Sequence, residues 1–146
     1  MGRGVKTLLL DANVLLALAW PNHPFHHRAV ARLTKRGRYR WATCLLTQAA
    51  FVRLSSNPKV VPGAKLPAEA GEMLARLTSN SAHVFLDAKK ARLSKLFELL
   101  RRCHGHNQVN DAFLIWVAIS NGAMLLTFDL PVQHLAPVPE LVEVIS

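Results

Sequence analysis

Residues 8–16 read "LLLDANVLL". An unpaired carboxylate is costly to remove from water, so Asp11 in the middle of this apolar run needs a partner. The stretch "VKTLLL" (5–10) has the near-continuous apolar character of a central strand buried on both faces. "VLLALAW" (14–20), stopped by Pro21, suits a first helix. The stretch is therefore a strand-to-helix junction, with Asp11 at the carboxyl end of the strand.

Working outward, the same two patterns alternate. "FHHRAVARLTKRG" (25–37) is an amphipathic helix ending at Gly37, and "YRWATC" (39–44) is a second strand. "LLTQAAFVRLSSNP" (45–58) is a helix closed by Asn57-Pro58; "LPAEAGEMLARLTSN" (66–80) is another, with Pro67 near its start. "AHVFL" (82–86) is a third strand, after which Asp87 is placed to cap a helix over 88–102. "HGHNQ" (104–108) is a polar turn. "VNDAFLIWVAISNG" (109–122) is a helix apolar on nearly every side, hence buried, and ends at Gly122. "AMLLTFD" (123–129) is a strand running into an aspartate, and "LVEVIS" (141–146) a final edge strand. Alternation of this kind predicts an α/β sandwich: one domain over 1–146, with a central, mostly parallel, twisted sheet of four to five strands flanked by helices. Sheets of this kind hold ligands beyond the carboxyl ends of their strands.

Composition narrows the function. Eighteen Lys and Arg against nine Asp and Glu give a net charge of +9, and 51% of the chain is hydrophobic. A basic chain with a real core suits nucleic acid, an anionic membrane surface or an acidic protein partner. No run of roughly 18 apolar residues implies a membrane span. Arg3 and Lys6 ahead of an apolar stretch imitate a signal peptide, but Asp11 and Asn13 interrupt it too early. Cys44 and Cys103 form neither a disulfide framework nor a zinc quartet and read as free thiols of a reducing cytoplasm.

The acids sort unevenly. Glu69, Glu72, Glu98, Glu140 and Glu143 fall where they would face solvent, and Asp87 reads as a cap. Asp11 and Asp129 end two strands, and Asp111 lies in the first turn of the most apolar helix. Singly, each has an ordinary structural reading as a turn, cap or dipole partner. Brought to one sheet edge, the three would repel unless a hard cation, Mg2+ or Mn2+, lay between them. Such an ion with a bound water hydrolyses phosphodiesters, while the lysines and arginines hold phosphates.

"LLLDANVLLAL", "LTQAAFVRLSSNP", "VNDAFLIWVAISNG" and "LLTFD", in this order and spacing, resemble PIN domains and, more narrowly, the VapC-type toxins of bacterial toxin–antitoxin pairs. The resemblance implies an Mg2+- or Mn2+-dependent endoribonuclease cutting structured RNA (a tRNA or rRNA), a homodimer, and a cognate VapB-type antitoxin that wraps the toxin. It places catalysis and metal binding on Asp11, Asp111 and Asp129, with Asn13 and Thr127 orienting carboxylates by hydrogen bonds. One position departs: the family's second acid falls at Gln48, an uncharged amide that either touches a metal-bound water or the substrate, with one ion on the three aspartates, or leaves the site weakened, above all for a second metal. That departure leaves a second reading open, a degenerate PIN domain that binds RNA or protein without cutting. A haloacid-dehalogenase-like phosphatase also begins with a strand-end Asp, but Asn13 cannot serve as its proton donor.

Two basic clusters are candidates for RNA contact: Arg28, Arg32, Lys35, Arg36, Arg38 and Arg40, and Lys89, Lys90, Arg92, Lys95, Arg101 and Arg102. Arg53, one turn past Gln48, is placed to meet a phosphate or an acid. The histidines of "HPFHH" (23–27) and "HGHN" (104–107) match no standard zinc spacing; His26 or His27 would pack or cap the second helix. Trp20, Trp41 and Trp116 read as core or dimer-interface residues.

Overall fold

A computed structural model describes residues 4–88 and 93–146. The central strand, β1 (Lys6–Leu10), carries Leu8, Leu9 and Leu10, all fully buried. Successive side chains of a strand point to opposite faces. Leu9 accordingly joins one apolar cluster, and Leu8 and Leu10 join the other. The unbroken apolar run is thus what two covered faces require.

Four further strands complete a parallel sheet in the order β3-β2-β1-β4-β5: β2 (Tyr39–Cys44), β3 (His83–Leu86), β4 (Met124–Thr127) and β5 (Val142–Val144). Lys6 pairs with Tyr39 at the amino-terminal end, and Leu10 with Leu126 near the carboxyl end. Helices α1 (Ala12–Ala19), α2 (His26–Leu33), α3 (Leu45–Ser55) and α4 (Pro67–Thr78) contribute to the cluster around Leu8 and Leu10. Helices α5 (Leu93–Arg101) and α6 (Val109–Ser120) cover the face of Leu9. From β1 the chain builds the sheet outward through β2 and β3, then returns to β1's other side with β4. The order therefore reverses between β1 and β4, and such a switch point opens a crevice at the carboxyl ends of the two strands.

Several boundaries differ from the sequence expectation. Helix α2 stops at Leu33, where the Thr34 hydroxyl bonds back to the Val30 carbonyl at 2.8 Å. Gly37 lies in the loop beyond, at φ +143, where a Cβ would sit 2.6 Å from the Tyr39 ring. It serves that turn rather than a helix end. Helix α3 ends at Ser55; the expected closing pair forms a separate turn, with Asn57 Oδ1 accepting from the Lys59 amide. Helix α6 does end as expected: Gly122 at φ +61 lets the Ala123 amide reach the Ala118 carbonyl at 2.9 Å. The capping of a helix over 88–102 by Asp87 depends on residues 89–92, which lie outside the described residues.

Glu143 is not the solvated residue expected. It is half-buried on β5 and forms a two-pronged ion pair with Arg32, whose Nη2 donates to Oε1 at 2.8 Å. Arg32 also stacks over Tyr39, 4.8 Å from the ring centroid. Trp20 and Trp41 are core residues, the Trp20 indole N–H donating to Ser55 Oγ at 3.1 Å. Trp116 is half-buried and lines an apolar cleft with Phe113. Among the described residues no helix is long and apolar enough to cross a membrane.

Candidate active site at the switch point

Asp11 is 9% exposed, and its charge is compensated locally. As N-cap of α1 its Oδ1 accepts from the Ala12 amide at 2.7 Å, where the helix dipole also favours a negative charge. Oδ2 accepts from the Thr127 hydroxyl at 2.7 Å. The Asp11 amide donates to the Leu126 carbonyl at 2.9 Å, which holds the cap to β4. Burial still outweighs these bonds and pushes the carboxyl above its ordinary range, with Asp129 adding to the rise.

Thr127 is the fully buried hub. Its hydroxyl gives its one proton to Asp11 and accepts from Asn13 Nδ2 at 3.3 Å and the Asp129 amide at 3.0 Å. Asn13 Oδ1 in turn accepts from the Phe128 amide at 3.3 Å. The segments Asp11-Ala12-Asn13 and Thr127-Phe128-Asp129 are thus stitched together by side-chain bonds. Thr127 touches a carboxylate directly, whereas Asn13 acts on Thr127 and on the loop that carries Asp129.

Asp111 arrives from the first turn of α6. Its carboxyl is raised to about 6, first by burial, then by the charges of Asp11 and Asp129. All three aspartates line one cavity of about 510 Å³. Helix α3 faces this cavity with Thr47, Ala50 and Arg53, and Arg53 supplies a cation opposite the acids. Asn107 and Asn110 add amides.

Gln48 does not line the cavity. It lies about 100° around α3 from Thr47, and its Nε2 donates to the buried Thr43 hydroxyl at 3.0 Å, itself 2.7 Å from His83 Nε2. Contact with the cleft is therefore replaced by a bond between α3 and the sheet. Arg36 and Arg38 are also elsewhere, ahead of β2 at the amino-terminal end of the sheet. Lys89 and Lys90 lie outside the described residues.

His23 is a cleft residue that the sequence did not single out. Its Nδ1 accepts from the Phe25 amide at 3.0 Å, so in the neutral ring Nε2 carries the proton. Burial and the neighbouring His26 hold its pKa down. Nothing in "HPFHH" separates it from its neighbours; only the turn after Trp20 brings it to the cleft. His26 instead caps α1 through Nδ1, 2.8 Å from the Ala17 carbonyl.

The donor set fits a hard divalent cation: three carboxylates, all oxygen, mutually repelling. Among the described residues no group of three His, Cys, Asp or Glu stands close enough together to hold a metal ion. Mg2+ does not require such a group, because it keeps several waters and takes one or two carboxylates directly. A second hollow of about 590 Å³, mainly apolar, opens at the other end of β1 and β4 beside Lys6 and Met124, away from all three aspartates.

A parallel sheet of this order with acids at its switch point defines an α/β fold with a carboxylate-lined crevice, and comparison with known proteins narrows it. The PIN-domain family model matches residues 8–136, and the chain belongs to that family. It is 41% identical over 128 residues to Ribonuclease VapC38 of Mycobacterium tuberculosis, covering 88% of this chain and 89% of that one. Two solved structures share the fold. VapBC2 from Rickettsia felis, bound to a fragment of its promoter DNA, has a TM-score of 0.67 at 16% identity, over 97% of this chain and 100% of that one. VapC20 of M. tuberculosis, described as a sarcin-ricin loop cleaving toxin, has a TM-score of 0.63 at 14% identity, over 90% and 97%.

Proposed function

We propose that this chain is a VapC-type endoribonuclease toxin, dependent on Mg2+ or Mn2+, that hydrolyses phosphodiesters of a structured RNA such as a tRNA or rRNA. One observation carries the reading: three aspartates distant in sequence line a single cleft at the switch point, with Arg53 in the same wall. The relatives named as ribonucleases support it.

Asp11, Asp111 and Asp129 would hold the ion, which supplies positive charge to the oxygens of the transferring phosphate. Thr127 fixes the rotamer of Asp11, and through the Asp129 amide it fixes the approach of the second strand-end acid. Arg53 holds a phosphate of the entering strand against the repulsion of the carboxylates. The amides of Asn107 and Asn110 and the Nε2–H of His23 are donors for ribose and phosphate oxygens. Buried Thr47 and Leu114 close the floor and limit water to the open side.

The proposal includes a homodimer and a VapB-type antitoxin, in keeping with the VapC relatives and with the +9 charge, and a reducing cytoplasm, in keeping with free Cys44 and Cys103. The degenerate reading keeps one observation in its favour: Gln48 is neither acidic nor in the cleft. A single assay separates the two. Total RNA incubated with the protein yields discrete fragments in Mg2+ or Mn2+, none in EDTA, and none with Asp129→Asn. Intact RNA under every condition would establish the non-cutting reading.

A further inference from the structure

Arg36 and Arg38, candidates for RNA contact from the sequence, do not line the aspartate cleft, and the place they occupy points to a second contact. Helix α2 runs from one end of the sheet to the other. At its start Phe25 packs on Phe128, ring centroids 5.0 Å apart, directly beside Asp129. At its end Arg32 stacks over Tyr39, the first residue of β2. Arg28 sits 4.0 Å over the Phe25 ring and 5.9 Å from the ring of Phe128, the residue before Asp129. Lys35 and Lys6 flank Glu143, whose charge Arg32 already neutralises. Beyond them Gly4, Lys6, Gly37, Arg38 and Tyr39 line a cleft of about 430 Å³, where the Lys6 amide bonds to the Arg38 carbonyl at 3.0 Å.

Arg28, Lys35, Arg36 and Arg38 are all exposed, and among the described residues none forms an ion pair. Exposed cations with no acid to pair them, set in a line and ending in a glycine-walled cleft, are suited to a polyanion of regularly spaced charge. The line is long. Lys6 opens β1 and Asp11 follows its last residue, about 16 Å away at 3.3 Å per residue, so the far cleft and the aspartates cannot hold the same phosphate.

We infer that the exposed cationic edge of α2 and of the loop after it (Arg28, Lys35, Arg36 and Arg38, with Lys6 of β1) binds the phosphodiester backbone of the RNA leading away from the aspartate cleft. This rests on the ribonuclease reading for the identity of the polyanion. It deepens that reading by making the substrate an RNA long enough to span both ends of the sheet. Backbone contacts position a substrate without reading its sequence, so the track selects for length and shape while the cleft sets the cut.

The test is binding, measured by fluorescence anisotropy in an Asp11→Asn background that prevents cutting. The probes are a labelled RNA hairpin of about 20 nucleotides and a three-nucleotide single strand, which spans only about 10 Å at 3.4 Å per nucleotide. Arg36→Glu/Arg38→Glu lowers hairpin affinity at least about ten-fold and flattens its salt dependence, since each lost phosphate contact removes roughly 0.7–0.9 from the slope. Affinity for the three-nucleotide strand falls far less, so the ratio between the two collapses. Lys59→Glu/Arg76→Glu, the same charge change at exposed positions elsewhere, leaves that ratio standing. Circular dichroism melting of each variant reports that the fold is intact.

Equal losses for hairpin and short strand, or an equal loss in the control pair, would each overturn the track. Its failure is separable from failure of the ribonuclease reading. A parent protein that cuts RNA while the Arg36/Arg38 variant binds normally refutes the track alone. A parent that never cuts while the variant loses RNA binding refutes only the nuclease.

Discussion

Thr127 carries more of the site than any other uncharged residue. It holds Asp11, Asn13 and the Asp129 amide through one hydroxyl. Thr127→Val keeps the shape and removes all three bonds, leaving buried polar atoms unpaired at about 1–3 kcal/mol. Urea unfolding is expected to show that loss, with RNA cleavage falling alongside it, and Thr127→Ser is expected to restore both. Gln48→Glu is a second residue-scale test. A glutamate placed in the cleft would tighten Mn2+ binding; a side chain turned to Thr43, as found, is expected to leave the affinity by calorimetry unchanged. Asp111 gives a pH test. Its folded pKa, about 6, lies above the ordinary 3.8, so the fold favours its protonated form. In the metal-free protein its contribution is therefore most favourable below 3.8 and is lost as pH rises towards 6. Asp111→Asn is expected to melt higher than the parent in EDTA at pH 7.5 and level with it near pH 3.8. Solvent screening at this half-buried site limits the gain to about 2–5 °C. The three aspartates were legible because each interrupts an apolar element at its end. His23 and Asn107 were not, because the turns that carry them bring them to the cleft, and Asn110 was not singled out though it precedes Asp111 in the first turn of α6.

Elements with a single strong period were legible close to their true bounds. The strand at 39–44 reads from its β-branched and aromatic composition, and α6 from its apolar circumference ended by Gly122. Elements whose ends depend on competing local bonds were not. In α2, Thr34 bonds back to Val30, and the glycine expected to end the helix serves Tyr39 instead. In α3 the hidden variable was rotation: the sequence placed Gln48 at the family's acidic position, but packing turns Thr47, Ala50 and Arg53 to the cleft. The contact between Trp20 at the end of α1 and Ser55 at the end of α3 tests how these two cleft-bearing helices are held. Ser55→Ala leaves the buried indole N–H without an acceptor and is expected to lower unfolding free energy by about 1–3 kcal/mol, read by urea titration. An unchanged midpoint would mean that the indole finds another acceptor.

At the scale of the molecule, alternation of strand and helix was enough to give a parallel α/β sheet, and parallel strands put their carboxyl ends on one side. The reversal between β1 and β4 was not in any local pattern, yet it turns two strand-end aspartates 118 positions apart into neighbours across a crevice. The opening question about Asp11 is answered in part without any ion, by Ala12, Thr127 and the start of α1. What local bonding leaves over is the burial of Asp111 and its repulsion by Asp11 and Asp129, which together raise its carboxyl, burial first. The central claim is that this repulsion is relieved by one shared cation. Electron paramagnetic resonance of the protein titrated with Mn2+ tests it most directly. The expected result is one tightly bound Mn2+ per chain, weakened by Asp11→Asn, by Asp111→Asn and by Asp129→Asn alike. No bound ion, or an ion whose affinity survives Asp129→Asn, would contradict it.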